Sequence, residues 1–292
     1  MIEAILAAVL PVILTSGFGY VWARSGRKLD PASLTPLIST IGTPVLVFTI
    51  LMKTTLPPAA FAVTGAAAVA CYTGFVVASA IVLKLCRFRM RTYLPSLAFA
   101  NTGNLGLPLA LYAFGEQGLG YAIIFFSIGS ISNFTFGQAI AAGQANWKLV
   151  AKSPIVAAVI LGISASYVHF TPPIWLGNTL SLVAGMAIPL MLLTLGGSLA
   201  RIKVASLPRA FALSFVRIGM GASIGAVVAL CFGLTGTARS VLILQSGMPV
   251  AVFNYLFAQM WNNEPEEVAS LVAVSTFVSI GTIPVLLALL MP

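Results

Sequence analysis

The chain has 292 residues, 59% of them apolar and only 7% charged, and its mean hydropathy is +1.04. A soluble domain carries roughly 25% charged residues and cannot hide this much apolar surface, so the composition calls for lipid as solvent. Fifteen Lys and Arg against six Asp and Glu leave a charge of +9, which in a soluble protein would suggest nucleic acid; here the basic residues cluster between apolar runs and read as orientation signals.

The first ten residues, Met1 to Leu10, lack a basic leader and a clear small-residue cleavage site, so the segment reads as a spanning helix and not as a cleaved signal. Apolar runs follow at 3–21, 34–52, 59–83, 93–113, 118–142, 149–168, 174–195, 206–231, 238–260 and 267–290. Most reach the roughly 20 residues that cross about 30 Å of hydrocarbon as helix. The expected fold is therefore an all-α membrane protein with ten transmembrane helices, leaving no room for a soluble domain.

Between the runs, odd-numbered loops hold Arg24, Arg27, Lys28, Lys84, Arg87, Arg89, Arg91, Lys148, Lys152, Arg201, Lys203 and Arg209, whereas even-numbered loops hold Lys53 and Arg239. The positive-inside rule puts the odd loops in the cytoplasm and both termini outside, in a cell membrane that we expect to be a bacterial inner membrane. The ninth loop, Trp261 to Glu267, carries three glutamates and no base; acids contribute little to the rule, so it is neutral. Cys71, Cys86 and Cys231 are too scattered for a metal site and read as small packing residues. No cofactor is implied.

Pro11, Pro44 and Pro108 have partners at Pro154, Pro189 and Pro249, at offsets of 143, 145 and 141 residues. Gly106-Leu107-Pro108-Leu109-Ala110 answers to Gly247-Met248-Pro249-Val250-Ala251, and Gly42-Thr43-Pro44 to a glycine and proline around Gly185 and Pro189. Such spacing suggests duplication into repeats 1–146 and 147–292. Five spans in each make the repeats inverted, as in alternating-access carriers and some channels.

Helices four and nine are expected to be broken at their Gly-Pro stretches. Pro108 removes a donor and frees the carbonyl of Asn104, and Pro249 does the same to Gln245. Freed backbone groups cannot face lipid; turned inward, two half-helix N-termini favour an anion. Asn101, Thr102, Asn104, Gly106, Pro108, Gln245, Ser246, Gly247 and Pro249 form the candidate substrate site. The competing explanation is two mere kinks, with the polar side chains joining helices.

No Asp lies in any run, and Glu3 and Glu116 lie near boundaries, so a cation site or an acidic proton relay is poorly provided for. Arg217, the sole base deep in a run, either neutralises a cargo carboxylate, stabilises helix ends or snorkels to a headgroup. Asn133 and Asn254 either line the path or bind helices together, while Gln138, Gln259 and His169 read as boundary residues. A zinc-protease motif and an intramembrane carboxylate pair are both absent from the sequence, and no serine stands out as a nucleophile, so an enzyme is not expected.

The run Asn101-Thr102-Gly103-Asn104-Leu105-Gly106-Leu107-Pro108, with Gly247-Met248-Pro249 and Asn254-Tyr255, resembles the auxin efflux carrier family, including compact bacterial members linked to malonate or other carboxylates. The resemblance implies a ten-helix inverted repeat related to the bile-acid sodium symporter architecture. It also implies a scaffold of helices 1, 2, 6 and 7, a transport domain of helices 3–5 and 8–10, elevator-like movement and dimers. The expected function is a secondary carrier of a small organic carboxylate, auxin-like or malonate-like, with proton or sodium coupling left open. A channel or solute sensor on the same scaffold is the alternative.

Overall fold

The structure, a computed structural model, describes residues 2–26, 31–54, 56–143, 153–202 and 206–291. Arg27, Lys28, Lys148, Lys152, Lys203 and the repeat junction expected at 146/147 lie outside the described residues.

Apolar runs become helices, and prolines mark where several begin. Pro58, Pro154, Pro208 and Pro265 each occupy a first-turn position, where the missing N–H costs nothing. Among the described residues eleven helices follow one another. The first is α1 (Ile2–Arg24); α2 runs through Pro31–Leu37, a π-helical turn at Ile38–Gly42 and Thr43–Lys53. Next come α3 (Pro58–Leu85), α4 (Met90–Ala98) and the long α5 (Thr102–Ala142), which bends at Gly115 with φ 66°. The rest are α6 (Pro154–Tyr167), α7 (Ile174–Leu199), α8 (Leu207–Cys231), α9 (Gly236–Ser246), α10 (Val252–Met260) and α11 (Pro265–Leu290).

Seven of these, α1, α2, α3, α5, α7, α8 and α11, are long and apolar enough to cross a membrane. This overturns the expected ten spanning helices in two inverted five-helix repeats. The fourth run divides between α4 and the start of α5, which passes into the fifth run across the non-helical kink at Gly115. The ninth run divides into α9 and α10, of 11 and 9 residues, and α6 has 14. At about 1.5 Å per residue, helices of 9–11 residues reach only about half of the hydrocarbon thickness. Hydropathy registers apolar content but not where the backbone leaves the helix, so the sequence overcounts. The parity argument for the termini loses its premise with that count.

Two groups of helices emerge from the packing. In one, α1 lies along α7 and α2 lies against α6 and α7. The α1–α7 contact depends on glycine: a Cβ at Gly19 would run into the Leu193 carbonyl, and one at Gly196 into that of Ser16. In the other, α8 packs on α9 and α11, and α3 on α4, α5 and α8. Ile2, Leu6, Leu10, Leu14 and Phe18 leave an exposed apolar strip along α1, as a lipid-facing surface requires.

The acidic ninth loop has a role that the charge rule did not assign. Glu264 pairs with Arg89 at 2.6 Å and Glu267 with Arg209 at 3.2 Å, while the Tyr93 hydroxyl donates to Glu267 at 3.1 Å. These contacts join α4, α8 and α11 at the basic end of the molecule.

Candidate functional site

Two stretches of non-helical backbone meet in the interior. Phe99 to Asn101 separates α4 from α5, and Gly247 to Ala251 separates α9 from α10. They pair as a short antiparallel bridge between Ala100 and Val250. The Asn101 amide donates to the Pro249 carbonyl at 2.7 Å, and the Ala251 amide donates to the Phe99 carbonyl at 3.3 Å. Asn254 Nδ2 donates to the same Phe99 carbonyl at 3.0 Å, and the Val250 amide donates to Ser275 Oγ at 3.1 Å. Backbone groups that cannot be left bare in hydrocarbon are thus satisfied across the crossing.

The first opening lies elsewhere than expected. Pro108 does not open the helix at Asn104; it sits in the first α-helical turn after a π-helical turn at Thr102–Gly106, where a proline is tolerated. The opening is at Phe99–Asn101. Asn101 caps the new helix, its Oδ1 accepting from the Asn104 amide at 3.3 Å. In the second stretch Pro249 does lie within the non-helical backbone.

Beside the crossing is a cavity of about 90 Å³. Asn101, Thr102, Asn104 and Asn133 line it together. Further hydroxyls add to the polar lining: Thr35, Ser39 and Thr43 on α2, Thr194 and Ser198 on α7, Ser130 on α5 and Tyr72 on α3. On α2 and α7 the advance signal was spacing, since residues 35, 39 and 43, like 194 and 198, recur every four positions on one helix face. Phe99, Phe126, Phe134 and Phe253 supply the apolar walls.

The other expected site residues do not line this cavity. Gln245 and Ser246 are fully buried behind the crossing. A Cβ at Gly106 would collide with Gln245 Oε1, so that glycine makes room for the amide, and Gly247 faces Leu286. Asn254 braces the Phe99 carbonyl, while Pro108 and Pro249 shape backbone. Arg217 neither snorkels nor reaches the cavity: it is 0% exposed, and none of its guanidinium nitrogens has a hydrogen-bond partner among the described residues.

A second opening, of about 550 Å³, is lined by Leu46, Thr49 and Lys53 on α2, by Ser181 and Ile188 on α7, and by Glu116 at the α5 bend. Lys53 Nζ donates to Ser181 Oγ at 3.3 Å. On α2 the boundary between the two spaces falls between Thr43 and Leu46, and on α7 between Ile188 and Met191. The cavities therefore open toward opposite ends of the same two helices. No cluster of metal-ligating side chains occurs among the described residues.

Broken helices, a polar cavity at their crossing and a lipid-facing exterior define a membrane protein built to handle a solute. Residues 139–287, just over half of the chain, match the family of membrane transport proteins, and the chain belongs to that family. It is 23% identical over 209 residues to a putative malonate transporter of Rhizobium meliloti, covering 66% of this chain and 65% of the relative. Similar matches reach uncharacterised transporters of Methanocaldococcus jannaschii, 25% identical over 62% of each chain, and Methanothermobacter thermautotrophicus, 26% over 64%. The chain thus spans somewhat less than two thirds of the length of these relatives. Family and relatives alike are transporters and not enzymes.

Proposed function

We propose that the protein is a secondary carrier of small organic carboxylates, malonate-like or auxin-like, bound at the crossing and exposed alternately to the two sides. The observation that carries this reading is the hydrogen-bonded pair of helix breaks beside a cavity holding Asn101, Thr102, Asn104 and Asn133. The α5 N-terminus and the polar side chains offer donors to a carboxylate without a fixed charge to trap it. The malonate named for one relative lies in the same chemical class.

Movement follows the packing. The scaffold is α1, α2, α6 and α7, and the moving body is α3–α5 with α8–α11, sliding as an elevator past the striped faces of α2 and α7. The cavity at the crossing opens toward the helix ends nearest Arg24 and Arg201, the cytoplasmic face by the positive-inside rule. α11 begins beside Glu267 at that end, and 26 residues carry it about 39 Å toward the other side. The outer ends of α1 and α11 accordingly face away from the cytoplasm of a bacterial inner membrane. The resemblance to auxin efflux carriers adds a homodimer and kinship with the bile-acid sodium symporters.

Purified protein in liposomes, offered labelled mono- and dicarboxylates, tests the proposal. Saturable uptake and counterflow of label are expected. Flux without counterflow is the outcome of a channel, and binding without flux that of a sensor; no binding or movement of any anion rejects the carboxylate cargo. Proton and sodium gradients imposed one at a time separate uniport from coupled transport.

A further inference from the structure

We propose that Arg217 sets the anion selectivity of the crossing from behind, as a fixed internal charge that never touches the cargo. This rests on the carrier reading above. The side chain is fully buried, has no hydrogen-bonded partner among the described residues, and has no carboxylate in an ion pair with it there. A buried cation left this way is destabilising, and a fold retains it at a cost in stability.

Its location supplies the reason. The Arg217 Nη1 and the Ser246 carbonyl both press on the position where Gly221 would carry a Cβ, so the guanidinium sits at the C-terminal end of α9, just before the second break. A helix C-terminus carries about −0.5 charge. Unopposed, that negative end beside the crossing would repel a carboxylate held at the α5 N-terminus. The corresponding end of α4 is met by neutral partners, the Ala251 amide and Asn254. Arg217 more than cancels the α9 end and leaves the crossing net positive.

The field has a short route to the cavity. The guanidinium lies 5.1 Å from the centre of the Phe75 ring, which lies 5.5 Å from that of Tyr72, and Tyr72 lines the cavity. At about 10 Å and an effective dielectric of about 20, a unit charge changes the affinity for a monoanion roughly tenfold. For a dianion the effect is roughly squared. Burial among aromatic rings, with no carboxylate in an ion pair with Arg217 among the described residues, keeps salt from screening the charge.

Binding of malonate, malonamate and malonamide, and of indole-3-acetate and indole-3-acetamide, to detergent-purified protein tests this. The proteins are wild type, Arg217→Met, Arg217→Lys and Cys71→Asp; the last adds a carboxylate beside Ser246, whose Oγ lies 3.8 Å from Cys71 Sγ. Arg217→Met should fold with an unchanged or higher melting temperature, lose roughly tenfold in monoanion affinity and roughly a hundredfold in dianion affinity, and bind the amides as wild type does. Arg217→Lys should restore the anions, and Cys71→Asp should lower them with Arg217 still in place. Equal losses for charged and neutral ligands, or a lower melting temperature with the anion-to-amide ratio unchanged, overturn the proposal and leave Arg217 as a helix cap. Wild type that binds none of these anions rejects the carrier reading itself, and this inference with it.

Discussion

Asn104 and Asn101 do different jobs in one turn, and substitution separates them. Asn104 lines the cavity and receives support for its backbone from Asn101, whose Oδ1 serves the cap while its buried Nδ2 has no partner among the described residues. Asn104→Ala should cost roughly tenfold to a hundredfold in carboxylate affinity, the value of one hydrogen bond to a charged group, with the melting temperature held. Asn101→Ala should lower binding and melting temperature together, by about 1 kcal/mol of stability for the lost cap. Ligand titration beside thermal unfolding in detergent distinguishes them. Gly247→Leu, in contrast, is a packing test, because a Cβ there already comes within 2.9 Å of Leu286. Of the residues that the sequence proposes, Asn101, Thr102, Asn104 and Asn133 line the cavity. Ser275 and Tyr72 were not legible, since a single hydroxyl in an apolar run has no contrast until its neighbours are known. Arg217 was conspicuous in sequence, but whether it faced lipid, cargo or a helix end depended on the packing of α8 against α9.

At the scale of elements, a proline motif says that a helix is interrupted nearby but not on which residue. Pro108 permits a helix start, so the opening lies upstream at Phe99–Asn101, and the chain between takes a π-helical turn. The same ambiguity inflated the span count, because α4, α9 and α10 lie within apolar runs of span length but are each too short to cross alone. The α1–α7 contact offers a direct check of close packing. Gly196→Val should cost about 3 kcal/mol by forcing α1 from α7, whereas Gly185→Ala, with nothing within 4 Å of its added Cβ, should be neutral or slightly stabilising. Thermal unfolding of the two variants side by side reads the difference. At the basic end, Glu267→Gln should cost no more than about 1 kcal/mol, because the pair with Arg209 is partly exposed.

Taken whole, the molecule places one stripe of α2 and one of α7 in two different spaces. Positions 35, 39 and 43 of α2 line the cavity at the crossing, and 46, 49 and 53 line the opposite opening; on α7 the division runs 198, 194 and 191 against 188, 184 and 181. A channel joins such spaces continuously, whereas a carrier shifts the boundary along the stripe. In a background with Cys71, Cys86 and Cys231 replaced, single cysteines at Ser39 and Thr49 should label with membrane-impermeant thiol reagents from opposite sides. Addition of a transported carboxylate should alter the two rates in opposite directions as the crossing passes from one end of the stripe to the other. Parallel changes, or labelling of both positions from one side, would mean that the boundary is fixed, and the elevator would have to be abandoned even if carboxylates bind. The expected contrast depends on geometry alone, so it holds for whichever carboxylate the liposome panel identifies and for either direction of net flux.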